Sequence, residues 1–139
     1  MIPQNPDLNR NMNLVRDILI AFEGGISKWQ IEGRKLNERY NLEDGVLGYH
    51  LWLLVDAGLL FSPSVNDGHM SSGQYYPTAF AFALTWEGHE YLDTIRNQNV
   101  WKKIESSLLK NGSGLSFEIL KQLGVLYTKQ QLGLIDSDS

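Results

Sequence analysis

Between Val46 and Phe61 the chain changes its period without a break. Val46, Leu47, His50, Leu51, Leu53, Leu54 and Ala57 follow the spacing of one helical face. Gly58 stands where a helix end wants a left-handed residue, and Leu59, Leu60 and Phe61 leave at once as a strand. Pro63 to Pro77 is rich in turn formers (Ser62-Pro63, Asn66-Asp67-Gly68, Ser71-Ser72-Gly73, Tyr76-Pro77) and has no period. Ala79 to Leu84 then returns as a second strand, so the two strands and the 63–78 loop make a hairpin. Thr85 caps a third long helix, with Glu87 in its first turn and Trp86, Tyr91, Leu92 and Ile95 available for packing. A hairpin held between two helices leaves few architectures open.

Upstream, Leu14, Val15, Ile18, Leu19 and Phe22 form a single apolar helical stripe that Gly24-Gly25 ends. Arg10, Asn11, Asn13, Arg16 and Asp17 fall off it. The alternation of Ile26, Lys28 and Gln30 against Ser27, Trp29 and Ile31 predicts a short strand, with a short helix over Arg34 to Tyr40. Asn41 is placed to cap the next helix, with Glu43 and Asp44 in its first turn. Downstream, Val100, Trp101, Ile104, Leu108 and Leu109 mark one more helix, closed by Asn111-Gly112-Ser113-Gly114. Ser116 caps a last one, with Leu115 and Leu120 as a hydrophobic staple and a stripe of Phe117, Leu120, Leu123 or Gly124, and Tyr127. A chain of 139 residues, 42% hydrophobic and 20% charged, suffices for one core. The expectation is an α+β, mainly α, single domain over 1–139. It has a winged-helix-like core over 8–96 (helices plus a two-stranded wing hairpin) and two additional C-terminal helices over 99–132.

Two segments carry a resemblance. His50-Leu51-Trp52-Leu53-Leu54-Val55-Asp56-Ala57-Gly58-Leu59 and Leu84-Thr85-Trp86-Glu87-Gly88 resemble the helix end and wing exit of bacterial winged helix-turn-helix regulators. In that reading Gly58 reverses the chain, Leu59 starts the wing beneath the core, and Gly88 lets the next helix approach closely. Asn11 to Leu19, Tyr49-His50-Leu51, Asp56-Ala57-Gly58-Leu59, Leu84 to Asp93 and Val100-Trp101 together resemble a bacterial and prophage family, domain of unknown function 2513. The resemblance implies a winged-helix-like core and a bacterial or phage origin. It implies no activity.

Charge divides the functional readings. Residues 1–58 carry six Lys/Arg against eight Asp/Glu, residues 59–95 carry none against four, and residues 96–139 carry six against four. A winged helix that binds DNA needs Arg, Lys, Asn or Gln near the start of the helix that enters the major groove. Here that region offers Asn41, Glu43, Asp44, Gly45, Gly48 and Tyr49. Lys28, Arg34, Lys35 and Arg39 precede it and are the candidates for phosphate contacts, with Asn41 and Tyr49 nearest the groove. The alternative is a module that docks on protein, with Trp29, Trp52, Tyr75, Tyr76 and Phe82 as candidate anchors; Trp29, Trp52 and Phe82 are expected in the core, which leaves Tyr75 and Tyr76 in the loop. The C-terminal helices offer a route to a homodimer.

Catalysis is the least supported reading. There is no cysteine, no His-Glu-x-x-His pair and no Gly-x-Ser-x-Gly elbow. His50 lies on the inward stripe, as a hydrogen-bonded core histidine would, and His89 belongs to a charged first helical turn. No enzyme, cofactor or metal is expected. The polar start of the chain and the lack of any apolar run near the roughly 20 residues of a membrane span point to a cytoplasmic protein without membrane contact.

Overall fold

The computed structural model describes residues 10–62, 83–111 and 116–136. Among these lie six helices and two strands, in the order α1 (Met12–Glu23), α2 (Ile26–Arg39), α3 (Val46–Asp56), β1 (Leu60–Phe61), β2 (Ala83–Leu84), α4 (Trp86–Ile95), α5 (Gln98–Asn111) and α6 (Phe117–Gln131). The protein is mainly helical, with one small antiparallel sheet that pairs Leu60 with Leu84 and Phe61 with Ala83. Contacts divide the chain into two compact units, one ending at His89 and the other beginning at Glu90.

In the first unit α1 follows its stripe, for Leu14, Val15, Ile18, Leu19 and Phe22 are all buried. Asn11 is its N-cap, its side chain accepting from the Leu14 N–H at 3.1 Å. Arg16, which the spacing places off the stripe, is buried close to Tyr40. The expected strand over Ile26 to Ile31 is instead the first half of α2, continuous with the expected short helix. Strict alternation and a helical stripe share positions over so short a window. The stripe of Trp29, Gly33 and Leu36, at steps of four and three, prevails because it packs: all three are buried, and Trp29 stacks on Phe22 with ring centroids 4.2 Å apart.

Asn41 caps the helix before it, not the one after. Its φ is +50°, the Asn41 N–H donates to Glu38 O, and the Leu42 N–H donates to Asn37 O. This is a left-handed C-terminal motif in which Asn replaces the usual Gly. Asn suits both kinds of cap, which is why sequence alone misplaces it. Glu43 and Asp44 therefore lie in the turn before α3, whose N-cap is Gly45 at φ +87°.

The other end of α3 follows expectation. Gly58 has φ +79°, the Gly58 N–H donates to Val55 O and the Leu59 N–H to Leu54 O. Thr85 then joins the two motif segments: its hydroxyl donates to Gly58 O at 2.5 Å and accepts from the Gly88 N–H at 3.0 Å. The Thr85 N–H donates to Leu59 O, the same carbonyl that a Cβ on Gly88 would meet at 2.1 Å. The close approach inferred at Gly88 is real. The two motifs are one joint, which is why each needs the other.

In the second unit Tyr91, Leu92, Ile95, Val100, Trp101, Ile104 and Leu120 are buried. Ser116 caps α6 by accepting from the Ile119 N–H. Gly124 of α6 lies where a Cβ would stand 2.7 Å from Thr94 O, and Tyr91 packs on Phe117 with centroids 4.4 Å apart. Two residues expected to pack are on the surface: Trp86 is 77% exposed and Leu109 is 87% exposed. Each takes a position off the buried face of its helix, where apolar character alone buries nothing. The staple residue Leu115, the turn after Asn111, the 63–78 loop with Tyr75 and Tyr76, and Phe82 lie outside the described residues.

Candidate functional site

The exposed part of the first unit that concentrates polar chemistry is the surface of α2 and the turn into α3. At 100° per residue, Lys28, Lys35 and Arg39 fall within about 40° of one another on α2, whereas Arg34 lies roughly 100° or more round the helix. The four candidate phosphate contacts are thus three and one. All four are exposed. The row of three also contains Glu32, which pairs with Lys35 at 3.4 Å. Arg39 pairs at 3.7 Å with Asp17 of α1. Lys28 and Arg34 have no partner among the described residues.

Asp17 draws in a second group. The Tyr40 hydroxyl donates to Asp17 Oδ2 at 2.5 Å, and Arg39 lies beside the Tyr40 ring, 5.8 Å from its centroid. Burial, reinforced by the bond to Asp17 and that carboxylate's charge, keeps the Tyr40 hydroxyl protonated far above its ordinary range. Arg39 is thereby part of a local α1–α2 charge cluster while its side chain stays exposed.

Between α2 and α3 lie two adjoining open hollows of about 470 and 480 Å³ that share Asn37 and Leu47. One end is bordered by Arg34 and Gln30, the other by Glu43 and Asp44. Gly33, Gly45 and Gly48 supply wall without side chains, and Leu47 and Leu51 supply the apolar floor. Among the expected site residues that the structure describes, only Arg34 borders these hollows. Asn41 is exposed in the turn, and Tyr49 lies on the far side of α3, roughly 150° from the Leu47–Gly48–Leu51 lining. Tyr49 there packs alongside Trp52, with centroids 6.2 Å apart. Trp29 is core and Trp52 is half-buried.

Sequence reasoning did not find Asn37, Leu47 or Gly48 as lining residues. The available signal was the spacing Gly45-x-x-Gly48, with Gly33 on the preceding helix: small residues on facing helices keep backbones accessible.

His50, central to α3, is fully buried. Its Nδ1 donates to Val46 O at 2.9 Å, so its Nε2 is free to accept from the Asn11 N–H, also at 2.9 Å. Burial pushes the imidazole below its ordinary value of 6.5, and the bond to Val46 opposes this only in part. A neutral ring with both nitrogens engaged is a structural pin between α1 and α3. Among the described residues no group of three or more metal-ligating side chains stands together, and no helix is long and apolar enough to cross a membrane.

A mainly helical frame with one short antiparallel strand pair and a polar groove among the described residues describes a class of fold more than an activity. Sequence comparison gives the kinship: the chain belongs to the hypothetical-protein family DUF2513, whose profile matches residues 9–114. It is also similar to an uncharacterized protein of Haemophilus influenzae, with 30% identity over 126 residues that cover 90% of this chain and 99% of the relative. No solved structure matches the chain. Helix α6 falls outside the stretch that the family profile matches.

Proposed function

We propose that this chain is a non-enzymatic, winged-helix-like docking module that grips a protein segment in the groove between α2 and α3. The winged-helix part of the reading rests on the element order among the described residues: three helices, two antiparallel strands, then a helix. The observation that carries the docking part is the chemistry of α3. The helix that would enter a DNA groove has the sequence Val46-Leu47-Gly48-Tyr49-His50-Leu51-Trp52-Leu53-Leu54-Val55-Asp56, with no Arg, Lys, Asn or Gln. Glu43 and Asp44 stand before it, where phosphates would have to come.

The groove suits a segment with an apolar middle over Leu47 and a cationic end beside Glu43 and Asp44. Arg34 at the opposite end favours an anionic group there. The absence of cysteine accords with placing such a module in the cytoplasm. One observation favours a second reading, DNA contact through phosphates: Lys28, Lys35 and Arg39 share an exposed face.

Selection of displayed random peptides against the intact chain, with a parallel titration by mixed duplex DNA at low and moderate salt, separates the two. Docking predicts selected peptides bearing Lys or Arg at one end. Their binding falls at least tenfold with Leu47→Glu or with Glu43→Lys/Asp44→Lys. Duplex binding at low salt that is lost in a Lys28/Lys35/Arg39 triple Ala variant, with no peptide obeying that pattern, overturns docking in favour of DNA.

A further inference from the structure

Helix α6 has an inner and an outer face. Leu120 and Gly124 are buried, and Gly124 sits against the Thr94 carbonyl. More than about 100° round the helix lie Ile119 and Leu126, 45% and 37% exposed and seven residues apart, so that they form one row, with Leu126 at the edge of the hollow that Lys103 and Lys110 of α5 also line. Val125 and Leu132, also exposed, lie roughly 120° further round the helix, across the strip that carries Glu118, Gln122 and Lys129. A face of this kind is common, and its apolar content alone does not choose a partner. Its charges do.

Glu118 and Lys129 flank the Ile119–Leu126 row on the same side, both exposed and without a partner among the described residues. The midpoint between Ile119 and Leu126 falls between Gln122 and Leu123. The midpoint between Glu118 and Lys129 lies one residue further on, an offset of about 1.5 Å along the axis. In an antiparallel helix pair, residues on one flank meet the same flank of the partner helix. A twofold axis through this midpoint therefore sets Ile119 against the second copy's Leu126, and Glu118 against the second copy's Lys129. It also brings the two Gln122 amides, each both donor and acceptor, together at the centre.

We infer that the outer face of α6 is a self-complementary surface on which a second copy of this chain docks antiparallel. This inference is independent of the α2–α3 groove. A helix of 15 residues is about 22 Å long. One such pair covers less than a standard interface of about 800 Å² per partner. The dimer is accordingly concentration-dependent.

Sedimentation equilibrium of the full chain at low salt, from low micromolar to near-millimolar concentration, tests this. The mass rises from 15.8 kDa towards twice that value. Leu126→Glu weakens association at least tenfold. Glu118→Lys and Lys129→Glu each weaken it roughly fivefold, since each change places like charges together at two symmetric positions. The double variant Glu118→Lys/Lys129→Glu restores wild-type association. All these side chains are exposed, and circular dichroism confirms unchanged helix content. A chain that stays monomeric throughout leaves the face to some other occupant and overturns the inference. So does a dimer indifferent to Leu126→Glu, or a double variant that fails to restore association.

Discussion

The two ends of α3 are built differently. At its C-terminal end, Gly58 and Leu59 close a left-handed motif whose carbonyls are engaged by Thr85, and Gly88 brings α4 against Leu59 with no room for a methyl group. At its N-terminal end, Gly45 offers no side-chain cap, two acids stand exposed in the turn, and open hollows separate α3 from α2. One helix thus has a fixed end and an available end. Stability and recognition are spatially separated along about 16 Å of helix, so mutations at the two ends are expected to affect different measurements.

The most severe test of the fixed end is Gly88→Ala. A Cβ at 2.1 Å from a backbone oxygen forces the helix or the hairpin to move. We expect a loss of about 3 kcal/mol, read as a lower denaturant midpoint at unchanged slope. A near-neutral result would show the joint to be pliant and would dissolve the contrast. Thr85→Ala comes next. It removes both the cap of α4 and the hydroxyl bond to Gly58 O, for about 1–2 kcal/mol, while Thr85→Ser retains most of it.

A pH titration examines the middle of α3. His50 is held neutral in the folded chain, whereas in the unfolded chain it takes up a proton near its ordinary value of 6.5. The unfolded state then binds more protons, so stability is level above that pH. It declines as pH falls below it, by up to about 1.4 kcal/mol per unit, until the folded-state value is reached. Equilibrium unfolding of His50→Gln should lose this slope. A slope unchanged in that variant would assign the effect to another group.

The smallest stability effect belongs to the available end. Glu43→Lys/Asp44→Lys costs less than about 1 kcal/mol, mostly the favourable charge at the start of α3. Thermal melts would show it as a small shift. A large shift would mean that the acids are structural, and the contrast between the ends would have to be redrawn.

The fixed end was also the legible one. Gly58, Thr85 and Gly88 are each residue types that only a few backbone geometries demand, so their separate roles could be read from the sequence, while the bond that joins Thr85 to Gly58 could not. The apolar stripe of α1 was equally plain because it repeats for three turns. The Ile26–Ile31 segment was not, since six residues fit two periods and only Gly33 and Leu36, further on, decide between them. Asn41 was misassigned because it serves either kind of helix cap. At the site, the exposure of Lys28, Arg34, Lys35 and Arg39 followed from their chemistry. The pairing of Arg39 with Asp17, on a different helix, did not, and neither did the hollows, which arise from the separation of two helices and not from any one residue.

The bond from the Asn11 N–H to His50 has a kinetic consequence. The amide just before a helix is ordinarily among the first to trade its hydrogen with solvent, because no earlier carbonyl receives it. Here it is held by a ring at the centre of α3, with no surface exposure. Its deuterium uptake is therefore slowed for as long as the start of α1 stays bonded to α3, and a single backbone amide reports when that contact opens.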